Sequence, residues 1–383
     1  MYTILDYVKW RGDLSFQQSP YQEVDYLILS NLAYLPFEHI NITHMTLNKA
    51  FSLSQDNFEK NTNIPQDNYE LWKQVSTSKR FQNIKIINYT SETDHELIKQ
   101  FASITFLLED FTLFVAYRGT DDSLVGWHED FLMLYQNTVP AQLSAVQYLQ
   151  EISQYTYPLS LFQSLKNKNL GTWKERISKH FRYKKKGLPI LLGGHSKGGN
   201  LAMYASIFAD ENIQERILHV YNYDGPGFQD DIIQSKNYQK MLPQMTSYIP
   251  HYSFFGIVLG HEEKYHVVAS QNQGMYQHNT MSWNVDLNGF IQDELSYESV
   301  QFAIKVIMFL EKLNYQEKES FVEAMFNLFY SLDLHTFSDL SHMNYRHILT
   351  AIKEISLLNN QVRKMLIEVI HMIWLEAKKA KKL

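Results

Sequence analysis

Cysteine is absent from the 383 residues. That one absence excludes disulfides, thiolate nucleophiles and Cys-ligated zinc. A positive balance is missing too: 35 Lys and Arg stand against 41 Asp and Glu, for a formal charge of −6. No overall field draws such a chain to nucleic acid, and that partner is not expected. The start, Met1-Tyr2-Thr3-Ile4-Leu5-Asp6-Tyr7, lacks a basic stretch ahead of an apolar run. It is not read as a signal peptide, and a cytoplasmic location is expected. No segment reaches the roughly 18 uninterrupted apolar residues of a membrane span. The longest, 104–117, is broken by Glu109 and Asp110. Repeats and low-complexity linkers are also lacking.

What is present has the balance of a globular protein, 45% hydrophobic and 20% charged. Its 25 Tyr and 23 Phe supply large buried surfaces, with hydroxyls that need partners. Val24, Leu27, Ile28, Leu32 and Ala33 fall at helical spacing and predict a helix over 21–33. Residues 43–78 are polar and rich in Asn and Gln, and are read as short helices outside the core. A strand is predicted at 84–89. The apolar runs 102–108 and 111–117, parted only by Glu109-Asp110, predict a tight hairpin.

Residues 141–164 read as helix, and the basic stretch 166–186 as a solvated helix face with a loop. Strands at 188–192, 216–223 and 264–270, with a helix over 201–209, imply a largely parallel sheet with helices on both faces. After 295 the strand signal stops, and Val300, Ala303, Ile304, Ile307 and Leu310 begin an amphipathic helix. Two parts are therefore expected: an α/β core over 1–295 and a helical region over 296–383 packed on or beside it. The closing Lys378-Lys379-Ala380-Lys381-Lys382 is read as a solvated helix end rather than a membrane-surface contact.

Gly194-His195-Ser196-Lys197-Gly198 fits the Gly-x-Ser-x-Gly elbow, with an apolar strand before it and a helical pattern after. On such a bend the flanking glycines avoid clashes, and the hydroxyl stands near a helix N-terminus that favours an anionic intermediate. A serine needs a base oriented by a third group, in the chain order Ser, acid, His. Asp224, at the end of the next strand and before Gly225-Pro226-Gly227, is the candidate acid; a residue capping that turn would look the same. Among 15 His, His278 in a polar loop is the preferred base, and His251, His261 and His266 compete with it.

His195, beside the serine, is read as packing or bonding in support. The Lys197 amide, with the Thr120 amide and hydroxyl, supplies candidate oxyanion donors. Arg118 and Asp121 either join them or tie the loop down. His261-Glu262-Glu263 and His266 lack the His-Glu-x-x-His helix of a metallohydrolase and read as exposed loop residues, so neither metal nor cofactor is expected.

These motifs together resemble the fungal, or class 3, lipases. They share Tyr117-Arg118-Gly119-Thr120 with Trp127 and Asp130 downstream, and Gly194 through Gly199. More closely, the chain resembles an uncharacterised bacterial family of α/β-hydrolases distantly related to those lipases. It is similar in Leu5-Asp6-Tyr7, Val24-Asp25-Tyr26, Gly193 through Asn200, Asp224 through Phe228, and Gln277-His278 with Trp283. The resemblance spans roughly residues 1–310. It implies an α/β-hydrolase fold and a catalytic Ser196, with Thr120 and the Lys197 amide as oxyanion donors.

Two departures stand out. Lys197 occupies a place where class 3 lipases usually carry an apolar residue, and a cation at the mouth argues against a purely greasy triglyceride pocket. Ser247-Tyr248-Ile249-Pro250 has no carboxylate where those lipases hold their acid, which supports Asp224. The expected function is cleavage of a carboxylic ester or thioester of a small or medium acyl chain. The alternative is a non-catalytic binding or scaffold protein on the same fold, using the helical C-terminal region to dock a partner.

Overall fold

The computed structural model describes residues 1–60, 66–336, 339, 345–358 and 360–367. Four helices come first: α1 (Ile4–Arg11), α2 (Glu23–Asn31), α3 (Leu47–Lys60) and α4 (Gln66–Thr77). Acid side chains cap the first two, because the leading N–H groups of a helix lack intrahelical partners. Asp6 accepts from the Thr3 amide at 3.0 Å, and Asp25 from the Gln22 amide at 2.8 Å. Asp25 is also fully buried against Arg80, whose Nε donates to it at 2.7 Å and Nη2 at 2.5 Å. The same guanidinium donates to the carbonyls of Ser19 and Pro20. It locks the loop before α2 onto the segment that leads into the sheet.

Strands β1 (Lys85–Asp94), β2 (Lys99–Leu107) and β3 (Leu113–Tyr117) form an antiparallel meander. The second turn is the hairpin read from the sequence, closed with Phe111 at φ 68°. Helices α5 (Leu124–Leu132), α6 (Pro140–Ser153), α7 (Leu161–Lys166) and α8 (Trp173–Lys186) precede β4 (Ile190–His195). The single helix expected over 141–164 is thus two. It stops at Ser153, because in a continued helix the ring of Pro158 would strike the carbonyl of Gln154 four residues earlier.

Next come α9 (Lys197–Phe208), α10 (Glu211–Gln214), β5 (Ile217–Tyr223), α11 (Asp230–Ile233), α12 (Lys236–Met241), β6 (Met245–Pro250) and β7 (Lys264–Val268). A small ribbon of β8 (Val285–Asp286) and β9 (Gly289–Phe290) follows. Strand β6 carries no alternating pattern because both its faces are covered and all six of its residues are buried.

The seven strands lie in sequential order, and β3 through β7 run parallel. Parallel steps in one direction, each right-handed, place every crossover helix on one face. Helices α6, α9 and α12 do cluster there, over Leu113, Val115, Tyr117, Ile190 and Leu192. The opposite face, with Phe114, Ala116 and Leu191, is covered by α1 to α4. Period-two alternation along β3 divides its residues between the two cores. The architecture is an α/β-hydrolase fold.

Helices α13 (Tyr297–Glu311), α14 (Tyr315–Ser331) and α15 (Tyr345–Leu357) follow the ribbon. Together with residues 360–367 they build a third core against α5, joining Phe309, Phe321, Phe326 and Leu366 to Leu124 and Leu132. The Lys378–Lys382 tail lies outside the described residues.

Asp25→Ala leaves the Arg80 guanidinium buried without its carboxylate. The expected loss is about 3–5 kcal/mol in an equilibrium urea titration.

Candidate active site

Strand β4 passes into α9 through Ser196, which sits at φ 58°, ψ −133°. A non-glycine residue held there carries strain of about 1–3 kcal/mol, kept only where its surroundings enforce it. They do so here. The Ser196 amide donates to Tyr223 O at 2.9 Å, continuing the β4–β5 ladder into the bend. A Cβ on Gly198 would strike the carbonyl of Tyr117, so only glycine lets α9 begin this close to β3. Being the first helical residue of α9, Lys197 has an amide without an intrahelical acceptor.

Asp224 ends β5, also at positive φ (55°), and its carboxylate is fully buried. It does not cap its own turn: Asn222 Oδ1 accepts the Gly225 amide at 2.9 Å instead. Asp224 Oδ1 accepts from Ser253 Oγ at 2.5 Å and from the Gly256 amide at 3.1 Å, both in the loop after β6. Its Oδ2 lies 2.6 Å from His278 Nδ1. A carboxylate can only accept, so Nδ1 carries the proton and the neutral ring keeps its lone pair on Nε2.

The imidazole of His278 lies between two rings, His195 at 4.5 Å and Phe255 at 4.3 Å between centroids. Its loop is braced as well: the Tyr252 amide donates to Gln277 Oε1, and Trp283 Nε1 to Gln277 O.

His195 supports this arrangement. Its Nε2 donates to the His278 carbonyl at 2.8 Å, which leaves Nδ1 to accept from Tyr34 OH at 3.0 Å. Burial, reinforced by the neighbouring His278, pushes its pKa well below the ordinary value and keeps the ring neutral. Of the other histidines considered, His251 faces Asp293 at 3.5 Å, and His266 stacks on Tyr248. His261 Nδ1 lies 2.7 Å from Glu263. Glu263 is buried and also accepts from Ser247 and Tyr238, so it is not the exposed loop residue expected from sequence.

The loop after β3 runs beside the elbow: a Cβ on Gly119 would sit 3.0 Å from Ser196 Cβ. Arg118 bridges Glu38 and Asp121, each at 3.7 Å, and ties that loop down. Thr120 Oγ1 donates to Asp130 Oδ2 at 2.6 Å.

Lys197 corrects the sequence reading. Its ammonium is not at the mouth; the side chain is 1% exposed and turns inward, beneath α5. There it meets Glu129 at 3.0 Å, Asp130 at 3.6 Å and Gln100 Oε1 at 3.2 Å. Burial alone would push the lysine pKa down, but the two carboxylates more than offset this and hold it above its ordinary value. Glu129 also accepts the amides of Gln100 and Ala141. Sequence reasoning does not find Glu129, Tyr34, Ser253 or Phe255. Each acts through a contact remote in the chain, with no local pattern to mark it.

Lys197→Met strands the buried Glu129 carboxylate and should destabilise by about 3–5 kcal/mol in urea titrations. Adding Glu129→Gln to that variant should recover part of the loss. Asp130 is raised to about 6, mainly by burial. A carboxyl raised above its unfolded value contributes stability at low pH and loses it as pH rises through about 6. Asp130→Asn should therefore flatten the fall in unfolding free energy that wild type shows between pH about 4 and about 6.

Several lipase structures resemble the chain at a distance. M37 lipase is 14% identical with a TM-score of 0.35, the match covering 62% of this chain and 70% of that one. The lipase from Rhizopus microsporus var. chinensis is 11% identical with a TM-score of 0.38, covering 72% and 80%. Lipase II from Rhizopus niveus is 11% identical with a TM-score of 0.37, covering 73% and 89%. No curated protein matches the chain. A family model does match, over residues 75–327, from the helix before β1 to α14. The chain belongs to the Mbeg1-like family.

Proposed function

We propose that the chain is a serine hydrolase that cleaves a carboxylic ester or thioester of a small or medium acyl chain. One observation carries the reading: the pair of a buried Asp224 and a half-buried His278 stands at the same sheet edge as a serine held on a positive-φ bend. Ser196 Oγ attacks the acyl carbon while its proton passes to His278 Nε2, and Asp224 steadies the imidazolium. The amides of Lys197 and Thr120 take the negative charge of the tetrahedral oxygen.

Collapse of that intermediate breaks the bond to the alcohol or thiol, which leaves with the proton from His278. Water, deprotonated by the same nitrogen, then splits the acyl–serine bond. Thr120's hydroxyl proton is held by Asp130, so its amide is the donor it offers. With the Lys197 ammonium turned inward and Phe255 against the imidazole, an apolar acyl group meets no cation from the elbow.

A fluorophosphonate probe should label wild type and leave Ser196→Ala unlabelled, with turnover of p-nitrophenyl esters lost in parallel. Absence of labelling in folded wild type sinks the proposal and favours a binding protein on this fold; equal labelling of Ser196→Ala sinks it by locating the reactive nucleophile elsewhere. Asp224→Asn should lower kcat by about 10⁴-fold by favouring the wrong tautomer. His195→Ala should lower kcat by up to about 100-fold through misplacement of His278, with the same serine still labelled.

A further inference from the structure

The α7–α8 segment combines two features that a solvated helix face does not require together. Four large apolar side chains are exposed in it: Leu161 (40%), Phe162 (66%), Trp173 (63%) and Phe181 (59%). The stretch 161–186 also holds nine Lys and Arg against one acid, Glu175, in a chain of formal charge −6. Glu175 is occupied at the N-terminus of α8, where it accepts from the Thr172 amide and hydroxyl.

The layout is regular. Trp173, Ile177 and Phe181 recur every four residues and form a stripe along α8. His180 and Tyr183 face inward, toward Tyr157. Lys174, Arg182, Lys185 and Lys186 are exposed on the outer side. Three of the nine cations have hydrogen-bond or ion-pair partners: Lys186 reaches Glu215 at 3.5 Å, Lys184 donates to Tyr157 O, and Arg176 donates to the carbonyls of Gly171 and Leu165. Lys166 lies over the Phe162 ring at 4.1 Å. Rings and an aliphatic group beside a row of cations are the layout of a helix lying in the plane of a bilayer interface. There the apolar groups enter the acyl boundary while Lys and Arg meet anionic headgroups.

We propose that α7 and α8 form a docking surface for a bilayer rich in anionic lipid. The segment lies at the end of the sheet away from the elbow. Asn169 contacts Glu109 in the β2–β3 turn, and α8 leads directly into the start of β4, whereas Ser196, Thr120 and Asp224 follow the opposite strand ends. Docking in this way holds the protein at a surface by its far end and leaves the edge bearing Ser196 turned away. Among the described residues no helix is long and apolar enough to cross a membrane, so the contact is peripheral.

The test is co-sedimentation of the full chain with vesicles of phosphatidylcholine alone or mixed with phosphatidylglycerol. Wild type is expected to bind the mixed vesicles, to release as salt rises, and to ignore the neutral ones. Two variants separate the contributions: Lys174→Glu with Lys185→Glu, and Phe162→Ala with Trp173→Ala and Phe181→Ala. All five positions are exposed, so thermal midpoints should stay close to wild type. Each variant is expected to weaken partitioning by about tenfold or more.

Failure of wild type to bind mixed vesicles overturns the proposal, as does equal binding by both variants. So does loss on charge reversal with full retention by the ring-deleted variant, because that pattern belongs to a polyanion site rather than a bilayer interface.

Discussion

A single buried ammonium ties the parts of the candidate site together. Lys197 begins α9 directly after the serine, yet its charge lies under α5, between Glu129 and Asp130. Removing such charges from water is expensive, and the arrangement holds only while every partner stays in place. Glu129 also fixes the amides of β2 and of the start of α6. Asp130 carries the constraint on to Thr120 through its hydroxyl. The elbow, the helix beside it and the loop that would face an oxyanion therefore share one electrostatic joint. The C-terminal helices press on α5 from the other side through the third core.

A second set of constraints acts on His278. Asp224 is buried and takes hydrogen bonds from Ser253 and Gly256, so its orientation is fixed before the imidazole adds a third. The imidazole is then confined by the rings of His195 and Phe255. Through its own bond to the His278 carbonyl, His195 ties the residue before the serine to the backbone of the proposed base. Carboxylate, imidazole and bend come from three distant parts of the chain. Each is held by polar contacts that low-dielectric surroundings strengthen.

Much of the sheet was legible from local pattern. The hairpin between β2 and β3, the strands β4, β5 and β7 and the helix α9 follow from apolar runs and turn residues close in sequence. Strand β6 escapes local pattern because burial on both faces erases alternation. Residues 141–164 read as one helix because their apolar spacing continues past the break. At the site, Ser196 was visible through its glycines, which answer to backbone geometry within a few residues. The inward turn of Lys197 was not visible, since its partners lie on β2 and α5, far away in the chain.

What the sequence determined by itself is what short-range sterics and apolar patterning decide: a strand, a strained bend at Ser196, a helix, and a hairpin of two apolar runs ahead of a largely parallel sheet. Which histidine meets Asp224, where the Lys197 charge goes, and which carboxylate holds Thr120 were decided only by the tertiary structure. Burial sets the strength of a charge or hydrogen bond, and burial at these positions is made by segments that chain order does not bring together.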